Sequence, residues 1–308
     1  MSDRSWKHSL LLSLTALIWG VAFVAQSEGS NYMGSCTFTG LRFLIAAATL
    51  YPVIRLTSRK KPSAPQAGLW KSGMILGLLL SIASLLQQEG IAQGAGAGKA
   101  GFITTTYIVL VPILNLLIFK KKTSPIIWIG VAVTLAGLYL LCISNASFSL
   151  RLSDILLILC AFAYSFQILA IDRFSPRYDA LKLAAVQFLS CGVFSSILMF
   201  FKDIAPVGIN AWAGAFTSWN AWILLLYAAI LSSAVGYTFQ IVGQKGLNPT
   251  VASLLMSLES VFAALAGWLM LHQTLTVREL LGCTLVFAAV LIAQMPGQAG
   301  QDRPKDNR

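Results

Sequence analysis

Apolar runs of about 20 residues recur along almost the whole chain, and they restrict the possible folds more than any other feature. A run of this length is what an α-helix needs to cross a hydrocarbon core of about 30 Å. Of the 308 residues, 57% are hydrophobic and only 11% are charged, whereas a soluble domain carries about a quarter charged residues. Lipid is the solvent that explains this composition, so we predict an all-α integral membrane protein.

Turn residues and charges divide the apolar runs into ten predicted transmembrane helices. Pro125 and Pro249 suit the first turn of a helix, where the missing N–H costs nothing. The polar residues 295–308 suit a cytoplasmic tail. The predicted helices span 9–26, 36–56, 70–90, 98–119, 125–143, 152–171, 181–201, 220–241, 249–271 and 276–294.

Lysine and arginine alternate between the two sets of loops. Of the 22 basic residues, 17 lie at the termini and in the loops after the second, fourth, sixth and eighth helices, and four lie in the other loops. Because cytoplasmic loops carry such an excess, we expect both termini in the cytoplasm. The membrane that we expect for this chain is a bacterial inner membrane. The net charge of +11 is explained by these short loops, so we expect no nucleic acid as partner.

The two halves of the chain match each other. A shift of 145 residues aligns the first two helices with the sixth and seventh, and a shift of 152 aligns the third to fifth with the eighth to tenth. The pairs that meet include Trp19 with Tyr164, Arg42 with Gln187, and Gln88 with Gln240. We therefore predict two five-helix repeats, 9–143 and 152–294. Since five is odd, the second repeat crosses the membrane in the opposite sense, as in transporters that work by alternating access.

Two charged residues fall well inside predicted helices. Glu259 lies near the middle of the ninth helix, where an ionised carboxylate costs a few kcal/mol. It is a candidate for proton coupling or for binding a substrate ammonium, or it is a structural acid bonded between helices. Arg42, in the second helix, either extends to the membrane surface, makes a structural hydrogen bond, or binds a substrate carboxylate.

Three glutamines are further candidates for the solute path. Gln88, Gln187 and Gln240 lie within helices, and a buried amide in lipid needs a hydrogen-bond partner. They find that partner either between helices or along a polar path.

Aromatic residues inside the spans are candidates of a different kind. Trp19, Tyr107, Tyr164 and Tyr237 suit either the wall of a small-molecule pocket or plain packing. Pro112 should kink the fourth helix, as a hinge or as a packing bend.

The chain shows no pattern typical of an active site. We find no paired carboxylates at catalytic spacing, no nucleophile elbow and no cluster of metal ligands, so we expect no enzyme activity, cofactor or metal. None of the five cysteines forms a CxxC pair, and a disulfide between Cys36 and Cys142 is left open. The GxxxG pair Gly73 and Gly77 permits close helix contact, either within the bundle or in a homodimer.

These residues together resemble the EamA-type branch of the drug/metabolite transporter superfamily. The resemblance covers residues 9–294. Its motifs are Trp19-Gly20, Arg42-Phe43, 86–90, 99–103, 107–112, Phe239-Gln240, Gln244, 248–250 and 257–264. The chain departs from the family pattern at Ser260, where proline is usual, and at His272-Gln273, where Gly-Glu is frequent.

The resemblance implies ten helices, two repeats and the movement of metabolites. We therefore expect a secondary transporter of a small metabolite, an amino acid or related compound, with export as the expected direction. The alternative is a membrane-embedded protein without transport activity, either a lipid-handling enzyme or a receptor or assembly subunit.

Overall fold

The computed structural model describes residues 3–60, 66–95, 97–121, 123–142, 151–271 and 276–293, and these are overwhelmingly α-helical. The α-helices are α1 (Asp3–Gly29), α2 (Ser35–Lys60), α3 (Leu69–Gly90), α4 (Ala97–Thr105), α5 (Tyr107–Phe119), α6 (Pro125–Cys142), α7 (Leu152–Phe174), α8 (Ala180–Met199), α9 (Ile209–Gly214), α10 (Trp219–Leu226), α11 (Thr238–Gln244), α12 (Pro249–Met256), α13 (Leu258–Leu271) and α14 (Val277–Ala293). A π-helical stretch, Tyr227–Tyr237, joins α10 to α11. The predicted helix ends at 143 and 294 and the tail 295–308 lie outside the described residues.

Eight helical segments in the described ranges are long and apolar enough to cross a membrane. A further apolar helix, Pro125–Leu140, is shorter. The last helix in the described ranges, α14, carries Arg278 and Glu279 in its first turn and packs along α6. The prediction of an all-α, multi-pass membrane protein is therefore confirmed. The number ten and the repeat arrangement remain predictions.

Local sequence signals fix several helix starts. Pro249 is the first residue of α12, and the side chain of Asn248 caps that helix by accepting a 2.8 Å hydrogen bond from the Thr250 N–H. Asp179 caps α8 in the same way, through the N–H of Lys182. A cap of this kind satisfies one of the free N–H groups of the first turn.

Two spans are interrupted at equivalent places. The break between α4 and α5 falls at Thr106 (ψ −8°), and the break between α12 and α13 falls at Ser257 (ψ −17°). A shift of 152 residues relates the two positions to within one residue. Both breaks are tight turns in which a later N–H bonds three residues back, as in the 3.2 Å bond from Ser260 N–H to the Ser257 carbonyl. Pro112 lies inside α5, six residues beyond the first break.

Two glycines allow α3 to approach α8 closely. A Cβ on Gly77 would lie 2.7 Å from the carbonyl oxygen of Gln187, and one on Gly73 would lie 2.6 Å from the Cβ of Val186. The GxxxG pair therefore serves a contact within this chain. Around the bundle, α2 also packs on α8, α3 on α7, and α1 on α13, which leaves a central space between the two halves.

Candidate functional site

A small cavity lies at the centre of the bundle, between helices from both halves of the chain. Its volume is about 30 Å³, which holds only one or two water molecules. The bundle is therefore closed around a space too small for a metabolite. The lining residues are Trp19, Ala22, Phe23, Gln26, Arg42, Gln87, Thr104, Tyr107, Tyr164, Ile168, Ser232, Tyr237, Gln240, Met256 and Glu259.

Most of the residues proposed from the sequence meet at this cavity, although the sequence spreads those that do over six predicted helices. Those on its wall are Trp19, Arg42, Tyr107, Tyr164, Tyr237, Gln240 and Glu259. Gln88, Gln187 and Pro112 are buried elsewhere. The geometry thus gathers the two charged candidates and all four aromatic ones, and it separates two of the three glutamines from them.

Arg42 is the cation of the cavity. Its side chain is 1% exposed, so it does not extend to the membrane surface. Nη1 donates a 3.1 Å hydrogen bond to Oε1 of Gln26, and the guanidinium carbon lies 4.7 Å from the ring centre of Phe43. Nε has no hydrogen-bond partner among the described residues. A buried guanidinium with free N–H groups is suited to bind a carboxylate.

Glu259 is the acid of the cavity and follows the Ser257 break directly. Its Oε1 accepts hydrogen bonds from the hydroxyls of Tyr107 at 3.0 Å and Thr105 at 3.2 Å. The side chain is 3% exposed, and no lysine or arginine of the described chain lies within 4 Å of its carboxylate. A buried charge without a partner is costly, so this carboxyl needs a proton or a cationic ligand.

Aromatic side chains form the wall around Tyr237. The hydroxyls of Tyr164 and Tyr237 share a 3.0 Å hydrogen bond, and Tyr164 also donates to Oε1 of Gln87 at 3.5 Å. The Trp19 ring lies 4.6 Å from that of Tyr237, and its Nε1 donates to the Ser232 carbonyl at 3.1 Å. These bonds hold the rings in place around the cavity.

The three predicted glutamines have different environments. Gln240 exchanges two hydrogen bonds with Gln167, at 3.2 and 3.3 Å, so the pair joins α11 to α7 while Gln240 also faces the cavity. Gln88 donates a 3.0 Å bond to the Gln26 carbonyl and thereby links α3 to α1. Both polar atoms of Gln187 lack a partner among the described residues.

The cavity wall follows the internal repeat. With the shifts of 145 and 152 residues, four pairs of equivalent residues line it. The pairs are Trp19 with Tyr164, Phe23 with Ile168, Thr104 with Met256, and Tyr107 with Glu259. In terms of the predicted repeat, matching positions of the two halves therefore meet at the cavity. Sequence reasoning missed Phe23, Ile168, Thr104, Met256, Gln26 and Ser232. The first four lie one helical turn from a candidate that the sequence did identify. The repeat pairs Phe23 with Ile168 and Thr104 with Met256, so a search of these neighbouring positions in both halves would have found them.

The cavity thus offers a cation and a carboxyl that do not pair with each other, separated by aromatic and amide groups. Such a wall suits a small ligand with one negative and one positive group. Within the described ranges, no group of three or more His, Cys, Asp or Glu side chains is placed to hold a metal ion.

Comparison with known families gives matches along nearly the whole chain. The sequence model of the EamA-like transporter family matches twice, over residues 6–143 and 151–295.

Individual relatives give the same result. A protein of Archaeoglobus fulgidus described as an uncharacterized transporter is 26% identical, over 92% of this chain and 84% of its own. YoaV of Bacillus subtilis, an uncharacterized transporter, is 23% identical over 92% and 94%. YedA of Escherichia coli K12, an uncharacterized inner membrane transporter, is 24% identical over 90% and 87%. A solved crystal structure superposes with a TM-score of 0.76 at 16% identity, over 94% of this chain and 98% of that one, so the two share a fold.

Proposed function

The chain belongs to the EamA-like transporter family, and from this premise we propose that it is a secondary transporter that exports an amino acid or a similar small metabolite. The observation that carries the proposal is the central cavity, in which Arg42 and Glu259 are both buried and form no ion pair with any described residue. An amino acid presents one carboxylate and one ammonium. Arg42 binds the carboxylate through its free N–H groups, and Glu259 binds the ammonium.

The aromatic wall completes this binding mode. Trp19, Tyr164 and Tyr237 offer ring faces and hydroxyls on which a side chain and an ammonium rest, and cation–π attraction adds to the charge pairing. Gln240 offers an amide for polar groups of the solute. In the closed state described here the cavity is too small for such a solute, so binding requires the helices to move apart.

We propose that the motion is a rocking of two inverted five-helix repeats, 9–143 and 152–294, with both termini in the cytoplasm and the chain in the inner membrane. Packing supports this. Helix α2 packs on its own equivalent α8, and α6 on its equivalent α14. The contact of α1 with α13 has its counterpart in that of α7 with α4 and α5. A pseudo-twofold axis in the membrane plane relates such pairs.

Glu259 couples this transport cycle to the proton gradient. The carboxyl binds either a proton or the solute ammonium, because both compensate the same buried charge. When the site faces outside, a proton replaces the ammonium and the solute leaves. When the site faces the cytoplasm, the proton leaves and a new solute binds. The proton gradient thereby drives export, and no cofactor takes part.

The test is solute flux in proteoliposomes under an imposed pH gradient, with labelled amino acids as candidate solutes. A growth-protection screen against toxic amino acids in overproducing cells selects the solute. We expect flux of the parent protein to follow the gradient, and Glu259→Gln to lose that response. The matched control is Glu89→Gln, since Glu89 is a helical acid that lies outside the cavity and pairs with Lys202.

A parent protein that moves none of the solutes under any gradient would refute transport of amino acids. A Glu259→Gln protein that follows the gradient like the parent would refute the coupling role alone. A membrane-embedded enzyme or receptor is the other candidate function. No observation on the described residues favours it, and the family and relatives are described as transporters.

A further inference from the structure

A second cavity opens on the lipid-facing side of the bundle, away from the central one. Helix α7 forms its floor with Phe166 and Ala170, and α3 forms one wall with Ile75 and Leu79. The end of α5, at Phe119, forms the other wall. We call this cavity the lateral groove. Its volume is about 260 Å³, and all its lining residues except Arg173 are apolar.

Basic residues surround one end of the lateral groove. Arg173 is itself part of the lining and is exposed. Lys71 lies one turn before Ile75 on the same face of α3, and Lys120 and Lys121 directly follow Phe119. All are exposed. The acid next to Arg173 in the chain, Asp172, lies 3.7 Å from Lys121. The four basic residues named here outnumber this acid.

The lateral groove runs from this basic end toward the middle of the membrane. Leu79 lies ten residues into α3, which at 1.5 Å per residue is about 15 Å from the start of the helix. That depth is half of a hydrocarbon core of about 30 Å. The groove is thus as deep as one leaflet, with its charges where lipid headgroups lie.

We propose that the lateral groove is a binding site for one anionic phospholipid of the leaflet that faces the basic loops. One acyl chain lies between α3 and α5 on the apolar floor of α7, and the phosphate lies at Arg173, whose planar guanidinium binds two phosphate oxygens at once. Basic pockets between transmembrane helices recognise anionic headgroups in this manner. The site is separate from the transport cavity and needs only the membrane-spanning fold.

The test uses the full-length protein purified in detergent, with phosphatidylglycerol and phosphatidylcholine of identical acyl chains added in turn. Native mass spectrometry counts the lipids that stay bound. We expect one phosphatidylglycerol to be retained in preference to phosphatidylcholine. Arg173→Gln should weaken that retention about fivefold, the effect of one basic residue at a membrane surface. The matched control is Lys245→Gln, which removes an exposed basic residue at the same end of the bundle but outside the groove.

A second variant tests the apolar part without changing any charge. Ala170→Phe fills the floor of the groove, so we expect it to lower retention of phosphatidylglycerol while Arg173 is still present. The proposal is overturned if both lipids are retained equally, or if Arg173→Gln weakens retention no more than Lys245→Gln. It is also overturned if the parent protein is dimeric and Ala170→Phe makes it monomeric, because the groove would then hold a second copy of the chain.

Discussion

The two ends of the helix bundle are closed in different ways. At the end away from the basic loops, Lys202 and Glu89 form a 2.6 Å ion pair between α3 and the turn that follows α8. Beside it, Asp203 accepts hydrogen bonds of 2.6 and 2.7 Å from the N–H and hydroxyl of Thr37, in the first turn of α2. Trp212 donates to the same hydroxyl at 2.9 Å. Charged groups that bond to neighbouring side chains therefore hold this end, where the hydroxyls of Thr39 and Ser196 have no hydrogen-bond partner among the described residues.

The basic end is closed over polar groups that have no partners. Asn115, one turn before the end of α5, and Gln244, the last residue of α11, are each 1% exposed. Neither atom of either amide has a hydrogen-bond partner in the described part of the chain. The hydroxyls of Ser175 and Thr250, at the adjoining ends of α7 and α12, lack partners too. These helices pack against one another.

Opening the two ends therefore has opposite electrostatic consequences. We call the end with Asp203 and the Glu89–Lys202 pair the paired end. Opening it breaks an ion pair and charge-assisted hydrogen bonds, which are stronger than hydrogen bonds between neutral groups. Opening the basic end lets water reach amides that are unsatisfied in the closed state, and each such group costs about 1–3 kcal/mol while it stays buried. We expect the closed cavity to open more readily toward the basic end.

The largest expected effect is on the paired end. Asp203→Ala removes both hydrogen bonds to Thr37 and should lower the free energy of unfolding by about 2 kcal/mol, the upper range for loss of a helix cap. Thermal unfolding in detergent measures this. Asp203→Asn keeps an acceptor oxygen and should lose about half as much. An alanine variant as stable as the parent would show that this cap does not hold α2.

The next largest effects are expected at the basic end, where the free energy of unfolding should rise and solute flux should fall. Asn115→Leu and Gln244→Leu each remove an unsatisfied amide, so each should raise the free energy of unfolding by about 1 kcal/mol. If these amides become hydrated when the basic end opens, the same variants should slow solute flux in proteoliposomes. Higher stability with unchanged flux would mean that the amides are not part of the path.

Gln187 allows the amides of the basic end to be compared with a buried amide that lies at neither end of the bundle. Its amide also has no hydrogen-bond partner in the described ranges, but it lies in α8, which packs between α2 and α3. Gln187→Leu should therefore raise the free energy of unfolding by about 1 kcal/mol or less and leave flux unchanged. The same two measurements, unfolding and flux, check it. Reduced flux in this variant would return Gln187 to the solute path that the sequence proposed for it.

The smallest effect is expected at the Glu89–Lys202 pair. The side chains are 22% and 54% exposed, and ion pairs in such positions contribute about 0–1 kcal/mol. Glu89→Gln should therefore lower the unfolding temperature only slightly, and the difference from the parent should shrink at high salt. A loss as large as that of Asp203→Ala would show that this pair, rather than the helix cap, is the main contact of the paired end.

The all-α, multi-pass membrane class was predictable, because the hydrocarbon core sets the length of each apolar helix independently of tertiary contacts. The number of helices and their repeat arrangement remain predictions. The start of α12 at Pro249 followed from a local signal. The breaks at Thr106 and Ser257 did not, since no proline or glycine lies there. They place Tyr107 and Glu259 side by side at the cavity. The start of α1 at Asp3 also lies earlier than the predicted residue 9, because polar residues extend the helix beyond its apolar run.

The candidate site was predictable by residue type and only partly by position. Arg42 and Gln187 are equivalent in the repeat, and the sequence therefore assigned both to the solute path. In the structure the long side chain of Arg42 reaches the cavity and bonds to Gln26 on α1. The shorter side chain of Gln187 is buried in α8, which packs between α2 and α3. Equivalent backbone positions do not give equivalent contacts when the side chains differ in length and charge.

The sequence by itself determined that this chain is a multi-pass membrane protein of helices and that a few polar residues lie inside the spans, and it predicted a repeat from the matching halves. These properties depend on hydropathy, charge and period, which are local or additive along the chain. Only the tertiary structure decided which polar residues share one cavity, which are paired and which remain unsatisfied. Those outcomes depend on distances of a few ångströms between helices that are far apart in the chain, and no local pattern encodes them.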